Sequence, residues 1–312
     1  MSNSPATHTD RDGNEYELRT ISCPICGRDD GCLLGLRGGK HHRYGLGFES
    51  AIYRCRGCGL IYPNPLPIPK DPSSVYDDPE EYFQQHDPEG KKRSAESLVR
   101  EVVRRTGSDQ PAILDIGSGR GEVVWAAERF GCTAVGLELS EPMIKDARTH
   151  LGVSILRATV EEFAAEQPAD SFDAVVAAAV LEHVYDPDSF MGAVARLLRS
   201  GGVIFVDTPR EPSLMTWTAT AAERIRGRRT VYYLAPTWEP FHLYGFNPRA
   251  MEALLAKHGF SIEELHVRAR PMIPVRSGDR RDAIRALIGR QLVRIGNLSR
   301  SAPNMDLWAR LR

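Results

Sequence analysis

The chain has 312 residues, of which 42% are hydrophobic and 26% charged, with a formal net charge of −1. This is the composition of a globular protein with room for two ordinary domains, and the near-zero charge argues against a nucleic-acid partner, which usually leaves a basic footprint. The first 20 residues are polar, lack the apolar core of a secretory signal and are expected to be disordered. We therefore expect a cytoplasmic protein whose thiols are reduced.

Two cysteine pairs with identical spacing follow this polar segment. They are Cys23-Pro-Ile-Cys26 and Cys55-Arg-Gly-Cys58, and two intervening residues let both thiolates of a tight turn face one ion. Four thiolates complete a tetrahedral shell, so the pattern predicts a structural zinc site in a small zinc-ribbon-like module over residues 21–66. Two disulfides are the alternative, which a reducing compartment disfavours.

An α/β domain is predicted after this module. Residues 67–92 begin with a proline-dense stretch, which cannot form a long helix or a central strand and predicts a linker. An amphipathic helix is expected from about Arg93 to Arg105. Short apolar runs then alternate with helical stretches, which predicts a domain over residues 93–270 with a Rossmann-like, mostly parallel sheet and helices on both faces. A helical insertion is expected near residues 213–240.

Residues 271–312 are predicted to form a basic tail outside this domain. The segment DAIRALIGRQLVRIG is amphipathic with an arginine-rich face. Such a pattern is typical of a surface helix and also of peripheral contact with a membrane. No transmembrane segment is predicted, because no apolar run approaches the roughly 20 residues that a membrane helix needs. The sequence predicts no oligomeric state.

The turn after the first predicted strand of this domain is Asp115-Ile-Gly117-Ser-Gly119-Arg-Gly121. Ligands of open parallel sheets bind beyond the carboxyl ends of the strands, so a ligand is expected at this turn. A dinucleotide-binding turn has the spacing G-x-G-x-x-G and cradles a pyrophosphate. This turn is one residue shorter, and Asp115 and Glu122 would repel a pyrophosphate. S-adenosylmethionine carries an ammonium and a sulfonium, which suit two carboxylates.

The next two strands end in further polar groups. Glu138 lies about twenty residues beyond the glycines, the distance at which a carboxylate accepts hydrogen bonds from ribose hydroxyls. The third strand should present a group to the adenine, and Thr159, Val160 and Glu161 are the candidates.

Residues 93–262 resemble the class I S-adenosylmethionine-dependent methyltransferases. The resemblance is carried by LDIGSGRG, VGLELS, FDAVVAAAVLEHV and LLRSGGVIFVDTP, in that order. It implies a methyltransferase whose cofactor is S-adenosyl-L-methionine. The cofactor-binding residues that it implies, together with those named above, are Asp115, Gly117, Ser118, Gly119, Gly121, Glu138, Leu139, Thr159, Val160 and Ala178. Family members often carry aspartate where Thr159 stands, so Thr159 or Glu161 would take over the bond to the adenine amino group.

Two histidines are candidates for a general base, because imidazole titrates near neutrality. His183 follows the fourth strand, and His242 lies in an aromatic-rich segment. That segment resembles the zinc-containing sugar C-methyltransferases, which also carry an N-terminal four-cysteine module. The resemblance implies that His242 is basic, and we prefer it to His183. It further implies that Tyr76 or Tyr82, before the first helix, closes over the cofactor.

The expected acceptor is a small molecule. Many enzymes that methylate planar nitrogen carry D/N-P-P-Y/F after the fourth strand, and this chain has AAAVLEHV there. We expect O- or C-methylation of a sugar, a natural product or a prenylated intermediate. One alternative is an RNA methyltransferase whose zinc module grips nucleic acid, which the neutral charge disfavours. Another is a non-catalytic scaffold that binds the cofactor.

Overall fold

The structure, a computed structural model, describes residues 6–9, 14–39, 47–70, 87–236, 241–269 and 280–312. Its strands, in chain order, are β1 (Ala6–Thr9), β2 (Glu15–Arg19), β3 (Cys32–Gly38), β4 (Glu49–Arg54), β5 (Ile61–Pro63), β6 (Leu66–Pro69), β7 (Ala112–Ile116), β8 (Thr133–Glu138), β9 (Ile155–Arg157), β10 (Phe172–Ala178), β11 (Leu198–Pro209), β12 (Phe260–Arg268) and β13 (Asn304–Leu311). Its helices are α1 (Pro88–Thr106), α2 (Glu122–Arg129), α3 (Glu141–Leu151), α4 (Val160–Glu166), α5 (Pro187–Leu197), α6 (Leu214–Ile225), α7 (Pro248–Lys257) and α8 (Arg280–Leu298).

A seven-stranded sheet forms the centre of the molecule, in the order β12-β13-β11-β10-β7-β8-β9. The strands from β11 to β9 are parallel, and β13 runs antiparallel to both of its neighbours. Neighbouring residues of β10 face opposite layers: Val176 packs with α1 and α2, and Val175 packs with α4, α5 and α7. Burial on both faces explains why these strands are continuously apolar. The Rossmann-like, mostly parallel fold predicted from the sequence is confirmed.

The chain reverses its direction across the sheet between β7 and β10. β8 and β9 extend the sheet on one side of β7, and β11 extends it on the far side of β10. The loops that leave the carboxyl ends of β7 and β10 therefore diverge, and a crevice opens at this switch point. The glycine turn leaves β7 here, and the segment with His183 leaves β10.

The predicted boundary of this domain at residue 270 is wrong. β13 lies inside the expected basic tail, yet it is inserted between β11 and β12. Met305, Leu307 and Ala309 are fully buried in one layer of the core, and Trp308 lies in the other. The tail therefore completes the sheet, because the alternating side chains of β13 supply apolar surface to both helical layers.

The N-terminal boundaries also differ from the prediction. Residues expected to be disordered contribute β1 and β2, and β2 pairs with β6 in a three-stranded antiparallel sheet. β6 lies in the proline-dense stretch expected as a linker. Prolines are tolerated there because β6 is an edge strand. The first helix begins at Pro88, with proline in its first turn, rather than near Arg93.

Helices lie at two further positions where the sequence predicts them. The insertion after β11 contains α6, and the amphipathic segment of the tail lies in α8, which packs against α6. Contact of α8 with a membrane surface stays a prediction. Within the ranges that the structure describes, every helix is too short or too polar to span a lipid bilayer.

Candidate functional site

The glycine turn that follows β7 is held against the end of β8. The backbone N–H of Ser118 donates to the carbonyl of Leu137 at 2.9 Å, and its hydroxyl donates to the carbonyl of Asp115 at 2.8 Å. Gly117 and Gly119 have φ values of 66° and 53°, in the left-handed region that favours glycine. The turn therefore brings backbone N–H groups and the first turn of α2 to the crevice.

Close packing also requires two of these glycines. A Cβ on Gly117 would lie 2.5 Å from Cγ2 of Val180, in the segment after β10. A Cβ on Gly121 would lie 2.6 Å from Cγ2 of Val153. The loops after β7 and β10 thus touch at Gly117, which places the Val180–His183 segment beside the glycine turn.

Asp115, the predicted partner of a cationic ligand, is buried at the end of β7 with 4% of its surface exposed. Burial raises its pKa to about 7, Glu122 and Glu138 add to the rise, and the Ser118 hydroxyl opposes it. Burial makes the ionised form of this carboxylate unfavourable, because it loses its hydration. A bound cation would offset that loss, as expected for a group that binds an ammonium. The structure thus places Asp115, Ser118 and the glycines at one point of the crevice.

Glu138, the predicted ribose partner, binds the glycine turn in this structure. One carboxylate oxygen accepts from the N–H of Gly119 at 2.9 Å, and the other accepts from Leu139 and Ser140 at 2.7 and 3.0 Å. A carboxylate oxygen has two lone pairs, so the oxygen bound by Leu139 and Ser140 is fully used, whereas the oxygen bound by Gly119 can accept one further hydrogen bond. Glu138 therefore fixes the relative position of the two loops and lies within the same crevice.

The predicted adenine partners differ in burial and in the hydrogen bonds that they already make. Thr159 is the N-cap of α4, and its hydroxyl accepts from the N–H of Glu162 at 3.2 Å in a capping box. Val160 is 2% exposed and belongs to the core, so it presents little surface to a ligand. Burial raises the pKa of Glu161. Leu139, which directly follows β8, is half-buried.

Ala178, predicted to line the cofactor, is the last residue of β10. The next residue, Ala179, has a φ of 57°, which is uncommon for a residue with a Cβ. Its N–H donates to the carbonyl of Asp207 at 2.7 Å, which holds the bend against β11. This bend turns the chain from β10 towards Glu182 and His183.

The structure brings the two predicted base candidates together. Residues 241–247, here called the histidine loop, pass beside the turn after β10. The rings of His183 and His242 lie edge to face, with their centroids 5.0 Å apart. Leu243 and Tyr244 both donate their N–H groups to the carbonyl of Glu182, at 2.8 and 3.2 Å. The histidine loop is therefore anchored to the segment that carries His183.

Burial lowers the pKa of His242 to about 4. The imidazole is therefore neutral at physiological pH and can accept a proton. A neutral imidazole is also the form that binds a metal ion.

Glu182 completes this cluster and was missed by the sequence analysis. It is 1% exposed, and one carboxylate oxygen accepts from the hydroxyl of Thr208 at 3.0 Å. The other oxygen lies 3.8 Å from Nε2 of His183. The ligand atoms of Glu182, His183 and His242 all lie within 4.8 Å of one another, and one carboxylate with two imidazoles is a donor set that can hold a divalent cation. The signal in the sequence was a glutamate directly before His183.

Tyr76 and Tyr82, predicted to close over the cofactor, lie outside the described residues.

The four cysteines of the N-terminal region form one cluster. Sγ of Cys23 lies 3.5 Å from Sγ of Cys58, and Sγ of Cys26 lies 3.4 Å from Sγ of Cys55. All four sulfur atoms are within 4.8 Å of one another, and none is in a disulfide. A tetrahedral zinc shell with bonds of roughly 2.3 Å separates its sulfurs by about 3.8 Å, so the arrangement fits such an ion.

The two cysteine turns, here called the first and second knuckles (residues 23–27 and 55–59), have the same backbone pattern. In the first knuckle Gly27 donates to the carbonyl of Cys23 at 2.8 Å, and in the second Gly59 donates to the carbonyl of Cys55 at 3.0 Å. Gly27 and Gly59 have φ values of 69° and 84°, the positive values expected for such turns. The identical spacing in the sequence therefore corresponds to two equivalent turns around one point.

Residues 88–265, more than half of the chain, match the model of the methyltransferase domain family. The chain belongs to the methyltransferase domain family. Its domain is of the S-adenosylmethionine-dependent class, an enzyme class whose fold has the sheet described above.

Curated relatives point to the same class. The chain is 36% identical over 130 residues to the ubiquinone biosynthesis O-methyltransferase of Xanthomonas campestris pv. campestris. The aligned region covers 40% of this chain and 54% of the relative. It is 30% identical over 162 residues to the mitochondrial ubiquinone biosynthesis O-methyltransferase of Homo sapiens. Here the aligned region covers 48% of this chain and 42% of the relative. The chain thus spans about half the length of the curated relatives it matches.

Solved structures with a similar fold include a SAM-dependent methyltransferase from Archaeoglobus fulgidus, with a TM-score of 0.49 and 17% identity over 74% of this chain and 97% of that one. Another is an S-adenosylmethionine-dependent methyltransferase from Mesorhizobium loti, with a TM-score of 0.48 and 22% identity over 71% of this chain and 100% of that one.

Proposed function

We propose that this protein transfers a methyl group from S-adenosylmethionine to an oxygen or carbon of a small-molecule acceptor, with His242 as the general base. The observation that carries the proposal is the position of His242. It lies against His183 and Glu182 in the segment after β10, which touches the glycine turn at Gly117. A base here would stand beside the cofactor rather than elsewhere on the surface.

The cofactor residues are proposed as a set with different roles. Asp115 would pair with the ammonium of the methionine end, and the N–H groups of the glycine turn would approach the same end. Glu138 would accept a hydrogen bond from a ribose hydroxyl through the oxygen that also accepts from Gly119, and Leu139 would pack against the adenine. Glu161 is the better proposed partner of the adenine amino group, because the hydroxyl of Thr159 already accepts from Glu162.

S-adenosylmethionine, when bound, supplies a methyl group activated by a positively charged sulfur. Methyl transfer to a hydroxyl forms a C–O bond, breaks the C–S bond and releases the hydroxyl proton. His242, neutral because burial lowers its pKa to about 4, would accept that proton. His183 would hold the ring of His242 in place through their edge-to-face contact.

O-methylation is the preferred chemistry. The names of the curated relatives support an acceptor of the phenol class, because those proteins are O-methyltransferases of ubiquinone biosynthesis.

A divalent cation held by Glu182, His183 and His242 is a second way to remove the proton, since a bound cation lowers the pKa of a coordinated hydroxyl. In that case His242 would be a ligand rather than a base.

The proposed acceptor chemistry is tested by incubating the protein and labelled S-adenosylmethionine with matched phenols, catechols, sugars and a short RNA. We expect label in the phenols or catechols. Transfer only to RNA, or cofactor binding without transfer to any acceptor, would contradict the proposal. Repeating the assay with EDTA, at a concentration at which the protein keeps its zinc, and then with added Mg²⁺ separates the two roles of His242, because a base works without a second metal ion.

We further propose that Cys23, Cys26, Cys55 and Cys58 hold one structural zinc ion. The separations between their sulfur atoms and the paired knuckles support this. Metal analysis of reduced protein should give one zinc per chain, and Cys58→Ser should lose it. Cys132→Ser is the matched control, because Cys132 is also buried but lies outside the cluster. Equal zinc contents in the two variants would overturn the assignment.

A further inference from the structure

We infer that the four-cysteine module positions the histidine loop, so that the zinc ion controls methyl transfer without touching cofactor or acceptor. The inference rests on the proposed roles of zinc and of His242. It assigns a task to the module that neither proposal contains.

The second knuckle is joined directly to the end of the histidine loop. The carbonyl of Gly59 accepts from the side-chain amide of Asn247 at 2.7 Å. Two residues further, Ile61 and Gly245 exchange a pair of backbone hydrogen bonds of 3.1 and 2.8 Å, as in an antiparallel bridge. Three hydrogen bonds therefore fix the loop to the residues that directly follow Cys58.

This contact is also tightly packed. A Cβ on Gly59 would lie 3.0 Å from Nδ2 of Asn247, and Gly59 has a φ of 84°. Leu60 and Tyr62 of the module are at most 1% exposed and share one core cluster with Tyr244 and Phe246 of the loop. Interiors packed to this density transmit a displacement rather than absorb it.

The module also holds the chain on the other side of the histidine loop. In β3, the N–H of Leu36 donates to the carbonyl of Arg229 at 2.9 Å, and Val231 donates to the carbonyl of Leu36 at 3.0 Å. The guanidinium of Arg37 donates to the carbonyl of Leu234 at 3.2 Å. Strands β3 and β5 of one module thus contact segments on both sides of His242.

The other face of the histidine loop contacts the turn that carries the proposed catalytic groups. Leu243 and Tyr244 donate to the carbonyl of Glu182, and the hydroxyl of Tyr244 donates to the carbonyl of Tyr185 at 3.0 Å. Hydrogen bonds therefore join the second knuckle to the histidine loop, and the residues that directly follow His242 to Glu182. The ion that closes the knuckle would fix the distance between His242 and His183.

The test uses a substitution that leaves all four cysteines in place. Asn247 is also the N-cap of α7, where its side-chain oxygen accepts from the N–H of Ala250 at 3.1 Å. Asn247→Asp keeps this cap, since aspartate is an equally good N-cap, but replaces the donor to Gly59 with a carboxylate. Asn64→Asp is the matched control. It makes the same change within the module, where Asn64 donates to the carbonyl of Ile21 at 3.1 Å, away from the histidine loop.

We expect Asn247→Asp to keep one zinc per chain and unchanged affinity for S-adenosylhomocysteine. Hydrogen exchange at the N–H groups of residues 243–245 should be faster by about tenfold, and kcat should fall by a similar factor. Asn64→Asp should leave both quantities unchanged. Unchanged exchange in Asn247→Asp would overturn the inference, and so would loss of cofactor binding together with transfer.

Failure of the underlying proposals has different signatures. Protein without zinc would refute the metal assignment, yet the exchange rates of the two variants would still report on the contact with the module. Absence of any acceptor would refute the proposed reaction and leave the zinc content and exchange results intact. Removing zinc from the wild-type protein with a chelator should reproduce the faster exchange at residues 243–245 while exchange in β7 and β10 stays slow.

Discussion

His183 and His242 lie edge to face with ring centroids 5.0 Å apart, although they come from different loops of the domain. The half-buried member of the pair in the histidine loop, His242, has its pKa lowered to about 4. We expect His242→Gln to lower kcat by about 10²- to 10⁴-fold, since that is the usual contribution of a general base. Affinity for S-adenosylhomocysteine, measured by calorimetry, should stay within about twofold.

His150→Gln provides the control for this substitution. Its side chain is 67% exposed on α3 and contacts Asp146. It should change neither quantity. Equal turnover by wild type and His242→Gln would remove His242 from the mechanism.

The pKa of His242 also makes a prediction about pH. A base must be unprotonated, so kcat at saturating cofactor should fall as pH decreases through about 4, well below the value near 6.5 of an unperturbed imidazole. The same shift affects stability. The unfolded chain binds a proton near pH 6.5 that the folded chain does not bind until about pH 4, so stability should decrease as pH falls through that window.

Urea unfolding of wild type and His242→Gln at pH 7.5 and 5 measures the stability effect. The free energy of unfolding should fall more in the wild type, because glutamine does not titrate. An identical fall in the two proteins would mean that His242 is not held neutral by burial.

Asp115 should make cofactor binding depend on pH near neutrality. Burial raises its pKa to about 7, and only the carboxylate form would attract the ammonium of the ligand. Affinity for S-adenosylhomocysteine should therefore rise as pH increases, by up to about tenfold per unit below pH 7, and level off above it. Asp115→Asn should bind weakly at every pH, and a wild-type titration that is flat from pH 5.5 to 8.5 would contradict the assignment.

The Asp115 carboxylate should lower the free energy of unfolding in the pH range where it favours cofactor binding. Because the folded pKa of Asp115 lies above the unfolded value, its stabilising contribution is present at low pH and lost as pH rises through about 7. Asp115→Asn should therefore be more stable than wild type at pH 8.5, measured by urea unfolding without ligand. A variant less stable than wild type at that pH would show that the neutral side chain does not fit the site.

Alanine substitutions at Gly117 and Gly152 distinguish the cost of a steric clash from the cost of backbone strain. Both have positive φ, 66° and 73°, but a Cβ on Gly117 meets Val180 at 2.5 Å, whereas a Cβ on Gly152 meets no atom of the described residues within 4 Å. Alanine at Gly152 should cost about 1 kcal/mol of unfolding free energy from the dihedral alone. Alanine at Gly117 should cost several kcal/mol and also abolish cofactor binding. Equal losses at the two positions would mean that the Val180 contact relaxes freely.

Trp308 tests whether the tail belongs to the domain. It is 5% exposed in β13, with its ring 5.0 Å from that of Phe205 and 4.6 Å from the guanidinium carbon of Arg105. Trp308→Ala should lower the unfolding free energy by about 3–5 kcal/mol. Trp217→Ala is the control, because Trp217 is 56% exposed on α6 and its loss should cost about 0.5 kcal/mol or less. Similar losses in both variants would contradict the role of β13.

Features encoded by local spacing could be predicted from the sequence. The two C-x-x-C turns and the glycine turn are each fixed by neighbouring residues, and β7, β8 and β10 are apolar runs bounded by clear turns. The role of Thr159 as a helix N-cap could also be predicted. Thr159 and Glu162 have the spacing of a capping box, which indicates that the hydroxyl is engaged by the backbone.

The rest depended on contacts between distant residues. β13 contains the apolar run of residues 307–309, but its arginine-rich surroundings and its distance from β11 in the chain concealed its place in the sheet. No role could be assigned to Glu182 from the sequence, because its partners are Thr208 in β11 and His242 in the histidine loop, both distant from it in the chain. The attachment of the second knuckle to Asn247 joins two regions that no local pattern connects.

The insertion of β13 between β11 and β12 imposes an order of assembly during synthesis. β12 emerges from the ribosome before β13, yet its place in the sheet is beside β13 and one strand away from β11. Until β13 is made, the outer edge of β11 keeps unpaired backbone groups, and such edges recruit strands from other chains. A nascent chain of this protein therefore passes through an interval in which aggregation competes with completion of its sheet.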